Sequence, residues 1–329
     1  MKTFPTVLRQ ALCLFVAAWS CLCHAQGADT YPRRPIHITV VFAPGGGADV
    51  AARLVGPKLA ERLGQPVVIE NRPGMGGGIG AEYVAKSSPD GYNLVLASSG
   101  GLTALPFLYK NVAFSPEKDL TPITTFGISP LVLVAGPSFP GKTVKDVIAL
   151  AQQQPGVLAH ATAGGNGTAP HLAAELFKVM TDTQIIHVPY KGGAPALLSV
   201  IAGEVPLGFV DLATARPHLE GGKARALAVL GKNRTSVAPQ IPTVAESGVP
   251  GYEADGWFAL MAPAGTPASI VMRLNKELRV ILESPDVKAR FASVGLEPTS
   301  SSPEDVTQMM RKDSAKWEKL IKEHNLTAD

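Results

Sequence analysis

The stretch "VVFAPGGGADVAARL", from Val40 to Leu54, decides how this chain is read. An apolar, strand-like run meets three consecutive glycines, Gly45 to Gly47. An acid, Asp49, follows, and helical spacing begins. At a helix start the first backbone N–H groups have no partner within the helix, and the aligned peptide dipoles add partial positive charge. Glycine lets the backbone come close to whatever sits there. The stretch therefore reads as a βα loop able to hold an anion.

The same grammar recurs along the chain. The spacing predicts strands at Ile36–Phe42, Pro66–Glu70, Tyr92–Ala97 and Ile128–Ala135, and helices at Val50–Leu63 and Ile79–Ser87. Three more loops match the first: Gly74–Gly80, Gly164–Thr168 and Lys191–Gly193. Each follows a strand and precedes a helix. Strands alternating with helices predict parallel sheets in an α/β protein, with ligands at the carboxyl ends of the strands. Thr143 with Asp146 reads as a capping box, and Ser302-Pro303-Glu304-Asp305 opens another helix on whose apolar face Trp317 is a core anchor. Thr266-Pro267 reads as an N-cap followed by proline at the first helical position. No flexible linker separates the α/β sets, so two lobes joined by more than one crossing are expected. The strands around Ile123–Val134 and Trp257–Met261 are the candidate crossings.

The first residues carry an address. Lys2 and Arg9 precede an apolar run from Ala11 to Cys23 that is too short to span a bilayer, and a small-residue site ends at Ala25. This reads as a secretory signal peptide over 1–25, giving an exported, periplasmic product. Its removal takes away two cations and no acid, so the formal charge falls from +3 to +1. That balance gives no electrostatic reason to expect nucleic-acid or membrane-surface binding. All three cysteines (Cys13, Cys21, Cys23) lie in the same segment, which excludes disulfides, Cys-ligated zinc, iron–sulfur clusters and thiol catalysis from the mature chain.

Two nucleotide patterns are present and both fail on chemistry. Gly76–Ala81 satisfies a relaxed dinucleotide pattern, but Ser98-Ser99-Gly100-Gly101 stands where the ribose-binding acid belongs. Gly136–Thr143 fits the P-loop spacing. Pro137 and Pro140 each delete an N–H from a loop that works by aiming N–H groups at phosphates. No nucleophile elbow or HExxH pair is present, and His160, His171 and His187 lack the neighbours of a zinc site. No catalytic residue, metal or cofactor is expected. Arg53 lies one helical turn past Asp49, a spacing that makes an i,i+4 ion pair rather than a ligand clamp.

Six segments then occur in order: "FAPGGGAD", "ENRPGMGGGIGAEYVAKSSPDGY", "AGGNGTAPHLAAELF", "HVPYKGGAPAL", "VDLATARPHLEGGKARALAV" and "IPTVAESGVPGYEADGWFAL". Together they resemble the Bug-type extracytoplasmic solute receptors of tripartite tricarboxylate transporters, over essentially the whole mature chain. The resemblance implies a two-lobed periplasmic-binding (Venus-flytrap, type II-like) α/β fold with a crossed-over chain. Lobe 1 would comprise 26–127 plus 246–329, lobe 2 would comprise 128–245, and the ligand cleft would lie between them. It implies capture of a small carboxylate, mainly by loop backbone amides and water, by a monomer that delivers it to a membrane permease.

Carried over by motif, the expected ligand-binding residues begin in the first loop with Phe42, Pro44, Gly45, Gly46, Gly47 and Asp49. Ser98, Ser99 and Gly101 follow the third strand. Gly167, Thr168, His171, Tyr190, Lys191, Gly192 and Asp211 come from the second lobe. Gly101-Leu102-Thr103 replaces the family's usual Gly-Thr-His. Phe42, Leu102, Phe107 and Trp257 are the side chains expected to shape the distal pocket. An exported enzyme, or a sensor on the same scaffold, is the alternative function.

Overall fold

The computed structural model describes residues 31–110 and 112–327. The export segment read at 1–25 lies outside them. Two five-stranded sheets organise the chain.

The first sheet is built from β1 (Ile36–Val40), α1 (Gly47–Leu63), β2 (Val67–Asn71), α2 (Gly78–Ala85) and β3 (Asn93–Ser98). Three short helices follow, α3 (Ser99–Thr103), α4 (Leu105–Leu108) and α5 (Pro116–Asp119), before β4 (Leu120–Ser129). The second sheet takes β5 (Leu131–Ala135), α6 (Val144–Gln153), β6 (Ala159–Thr162), α7 (Ala169–Thr181) and β7 (Ile186–Pro189). It continues with α8 (Gly193–Ala202), β8 (Leu207–Asp211), α9 (Leu212–Glu220) and β9 (Arg225–Val229). The chain then returns as β10 (Gly256–Pro263), and α10 (Ala268–Glu283), α11 (Pro285–Ser293) and α12 (Pro303–Glu323) complete it.

The strand orders are β2-β1-β3-β10-β4 and β7-β6-β8-β5-β9. In each sheet three strands run parallel, and the fourth in the order is antiparallel to both its neighbours. Both sheets are thus wound alike, and in each the first of the parallel strands, β1 or β6, lies between the next two. That reversal of winding direction opens a crevice at the carboxyl ends of the strands.

The single strand expected over Ile128–Ala135 is in fact two. Pro130 separates Ser129, the last residue of β4, from Leu131, the first of β5. Lacking an N–H, proline cannot continue a ladder; its carbonyl accepts the Leu212 N–H at 2.8 Å. The chain changes sheets there, and it changes back at Gly256, the register partner of Ser129. The crossings lie so close that a Cβ on Gly256 would fall 3.0 Å from the Ser129 carbonyl oxygen. A larger residue here would force the two crossings apart.

Strand alternation divides the packing. Phe258, Leu260 and Ala262 of β10 join Ile38, Leu94, Val55 and Leu278 on one face of the first sheet. Trp257, Ala259 and Met261 point to the other face, with Val84, Val306 and Met310. In β5, Leu131 and Leu133 face one core and Val132 and Val134 another. The final helix spans both lobes. Val306 and Met310 are buried against the first sheet, while Trp317, Leu320 and Ile321 join Phe177 and Phe209 beneath the second. Among the described residues no helix is long and apolar enough to cross a membrane.

Candidate ligand-binding cleft

A cavity of about 240 Å³ lies between the lobes. Its wall comes from the ends of strands and the starts of helices. Phe42 to Ala48 lead from β1 into α1, Ser98 ends β3 and Ser99 opens α3. Ala163 and Gly164 follow β6, Lys191 to Pro195 lead from β7 into α8, and Asp211 ends β8. The two crossings close the base with Ser129, Leu131, Gly256, Trp257 and Phe258.

Of the helices that open on this cavity, α3 is capped by Ser98, whose hydroxyl accepts the Gly101 N–H at 3.4 Å, and four others lack a side-chain cap. Gly46 is the N-cap of α1 and Gly192 the N-cap of α8, and neither end has a side-chain cap. Thr168 precedes α7 without capping it; its one hydroxyl hydrogen is directed to the Ala163 and Gly165 carbonyls, each 2.9 Å away. Asp211 precedes α9, also without capping it. Away from the cavity both cases occur: α6 and α12 carry complete capping boxes through Thr143 with Asp146 and Ser302 with Asp305, whereas α10 and α11 have no side-chain cap. Uncapped helix starts leave N–H groups with no intrahelical partner, a standing demand for an acceptor. Helix starts from opposite lobes present that demand to one cavity.

The first loop holds its shape through Asp49. Gly45 has φ +86°, a conformation glycine adopts without strain. Its N–H donates to Asp49 Oδ2 at 3.0 Å. Arg53 Nε lies 3.0 Å from both carboxylate oxygens, and Asn71 donates to Oδ1 at 2.9 Å. Burial pushes the Asp49 carboxyl up, but these bonds outweigh it and hold it below its ordinary value. Asp49 is therefore committed to bracing the loop from behind, and Arg53 is its i,i+4 partner.

Of the expected residues, Phe42, Pro44, Gly45, Gly46, Gly47, Ser98, Ser99, Lys191, Gly192 and Asp211 are brought together on the wall of this cavity. Tyr190 lies beside it, on an adjoining cavity of about 460 Å³ that shares Phe42, Ala43, Gly164 and Lys191 with the first. Gly167 occupies the seam where the lobes meet, and Gly101 lies behind Gly76 on the first-lobe side of it. A Cβ on Gly101 would fall 2.9 Å from the Gly76 carbonyl oxygen, and one on Gly76 would fall 3.1 Å from that of Asn166. Thr168 braces the Gly164–Thr168 loop. His171 points back from the cavity. Its Nδ1 accepts the Gly167 N–H at 3.2 Å, and its ring packs 4.7 Å from that of His187, which lies 5.2 Å from His160. Burial, the neighbouring His187 and Lys178 push His171 down to about 3. Leu102 is buried in the core with Val41 and Leu105, and Phe107 packs with the core beneath the second sheet, so neither shapes the cavity as expected.

Sequence reading passes over Ser129, which lines the base and donates its hydroxyl to Asp211 Oδ1 at 2.7 Å. Its one visible trace is a polar residue ending an apolar strand just before proline. Trp257 is held on the opposite side by its Nε1–H, which donates to Asp313 Oδ2 at 2.7 Å. Among the described residues no group of three or more His, Cys, Asp or Glu is arranged to hold a metal ion.

The family model described as "Tripartite tricarboxylate transporter family receptor" matches residues 51–326. The chain belongs to this receptor family. Within the family it is 38% identical to the protein BugT of Bordetella pertussis over 297 residues, which is 90% of this chain and 91% of BugT. The solved structure of R. palustris Rpa4515 with adipate is 38% identical, with a TM-score of 0.84, covering 89% of this chain and 97% of that one. MatC from Rhodopseudomonas palustris with bound malate is 32% identical, with a TM-score of 0.82, covering 88% and 100%. The receptor thus has the two-lobed periplasmic-binding fold, and it is of the Bug type. The family and its periplasmic neighbours imply a periplasmic location, and they are solute-binding receptors.

Proposed function

We propose that this receptor captures a small carboxylate in the interlobe cavity and passes it to a membrane permease. One observation carries the reading: α1 and α8, from opposite lobes, both open on the cavity with glycine N-caps and no capping side chain. Open amides at a helix start suit a carboxylate without an arginine. The walls of Phe42, Leu131, Trp257 and Phe258 suit the carbon skeleton. The relatives that hold adipate and malate support the same class of ligand. On this reading Phe42, Pro44 to Gly47, Ser98, Ser99, Lys191, Gly192 and Asp211 form the binding surface. Asp49, Gly101, Gly167, Thr168, His171 and Tyr190 shape or flank it. The chain is a monomer, exported after cleavage near Ala25.

Thermal unfolding against a panel of mono-, di- and tricarboxylates and their neutral amides tests the reading. A ligand present at a thousand times its Kd stabilises by about 4 kcal/mol, so a true ligand raises the melting temperature by several degrees. Carboxylates that shift it no more than their amides would overturn the proposal.

A further inference from the structure

The cavity proposed to hold an anion contains an acid. Asp211 lines it, half-buried, and among the described residues it has no ion-pair partner. Aspartate is among the best N-capping residues, and Asp211 occupies the N-cap of α9, yet its carboxylate does not cap that helix. The carboxylate turns instead towards Ser129, whose hydroxyl donates to Oδ1 at 2.7 Å. That hydroxyl has one hydrogen, so Ser129 satisfies one lone pair of one oxygen; the Asp211 N–H offers a second donor, which leaves part of the carboxylate's four lone-pair sites open. Ser129 also touches the helix start that faces the ligand: a Cβ on Gly47, the first residue of α1, would fall 3.2 Å from Ser129 Oγ. Acceptor capacity and open amides therefore stand one hydroxyl apart at the base of one cavity.

A bare carboxylate lying against α1 would meet a like charge beside it. A donor on the neighbouring carbon removes that conflict and meets the unfilled acceptor. Accordingly, we propose that Asp211, oriented by Ser129, selects carboxylates that carry a hydrogen-bond donor, a hydroxyl or an ammonium group, on the carbon next to the carboxyl. The inference rests on the carboxylate-receptor reading and names its ligand class. Burial raises the Asp211 carboxyl above its ordinary value while the Ser129 hydrogen bond opposes the rise, which makes a matched donor worth more than it would be in water.

Calorimetry on skeleton-matched series tests this without any variant. The series are propionate, lactate and alanine; succinate, malate and aspartate; and adipate, 2-hydroxyadipate and 2-aminoadipate. On the skeleton that binds best, the donor-bearing acid is expected to bind at least about tenfold tighter than its unsubstituted parent, as befits a hydrogen bond to a charged acceptor. Whether the hydroxyl or the ammonium member wins identifies the donor. Asp211→Asn should collapse the preference for the ammonium acid and improve binding of the unsubstituted parent, with the unliganded melting temperature reported alongside. Parent acids binding as tightly as their substituted partners, or Asp211→Asn leaving the ratio within twofold, would overturn the inference while leaving the carboxylate reading intact. Binding of no carboxylate at all would overturn the carboxylate reading first, and this inference with it.

Discussion

Gly100 and Gly167 belong to opposite lobes and meet backbone to backbone: a Cβ on Gly100 would fall 2.5 Å from the Gly167 carbonyl oxygen and 2.9 Å from the Ala169 nitrogen. Gly76 crowds the same seam, backed by Gly101. Glycines here set how closely the lobes approach one another. Gly100→Ala is therefore expected to wedge the seam open. Overpacking costs about 1–3 kcal/mol, and because the closed form bears that cost, carboxylate affinity should fall about tenfold or more. Calorimetry reads the affinity, and small-angle scattering should show a larger radius of gyration with ligand present than for the parent protein.

Gly192 offers the converse change. Its φ of −176° suits any residue, and the nearest heavy atom to an added Cβ is Pro195 Cδ at 3.9 Å. Gly192→Ser would supply the cap that α8 lacks. Since serine gains only a few tenths of a kcal/mol over glycine at an N-cap, the unliganded melting temperature should hold or rise slightly. Carboxylate affinity should fall, because the new hydroxyl competes for the same amides. Unfolding with and without ligand separates the two effects.

The three histidines beneath the second sheet make stability depend on pH. Burial is the first cause of each depression; it holds His171 at about 3, His187 at about 4 and His160 well below its ordinary value. An unfolded imidazole titrates near 6.5. Between 6.5 and the folded values the unfolded chain binds more protons, so stability falls as pH drops through that window. The loss reaches about 2 kcal/mol for each of His171 and His187 at pH 5. Burial raises the carboxyls of Asp211, Asp255 and Asp313, and they act in the opposite direction. The diagnostic is therefore a difference: denaturant melts of His187→Gln should lose less stability between pH 7 and pH 5 than the parent.

Trp317 anchors the far end of α12 and is 4% exposed. Trp317→Ala should cost about 3–5 kcal/mol, as for other large buried aromatics. Chemical denaturation measures that loss. Scattering of the unliganded protein should also show wider separation of the lobes, since the variant loosens one of the ties between them.

Much of this molecule can be read from sequence because strand, glycine loop and helix leave separate marks. The capping box at Thr143 is found as read, and the helix read to open at Ser302 does so, with Asp305 completing a second capping box, since threonine or serine with an acid three residues on has a local physical meaning. Thr266 escapes the same logic: its hydroxyl donates to the Pro263 carbonyl at 2.7 Å, and α10 begins after Pro267. The break at Pro130 was hidden by apolar residues on both sides, because two buried strands in different sheets look like one. Glycine loops announce close approach without saying to what. Gly45 to Gly47 approach the cavity, Gly167 approaches Leu108 and Tyr109 of the opposite lobe, and Gly101 approaches Gly76 of its own. Ser129 left almost no trace, because its partner Asp211 is 82 residues away.

The helix Pro303–Glu323 is 21 residues long, roughly 31 Å, and both its ends are embedded in hydrophobic cores. Between those ends Asp313 grips Trp257, a side chain of the cavity wall. A rod pinned at both ends cannot follow a wide swing of the parts it joins unless it bends or pulls free. A wide swing of the lobes would therefore have to bend the rod or break one of those two anchorages, and the indole ties the same rod to the wall of the cavity.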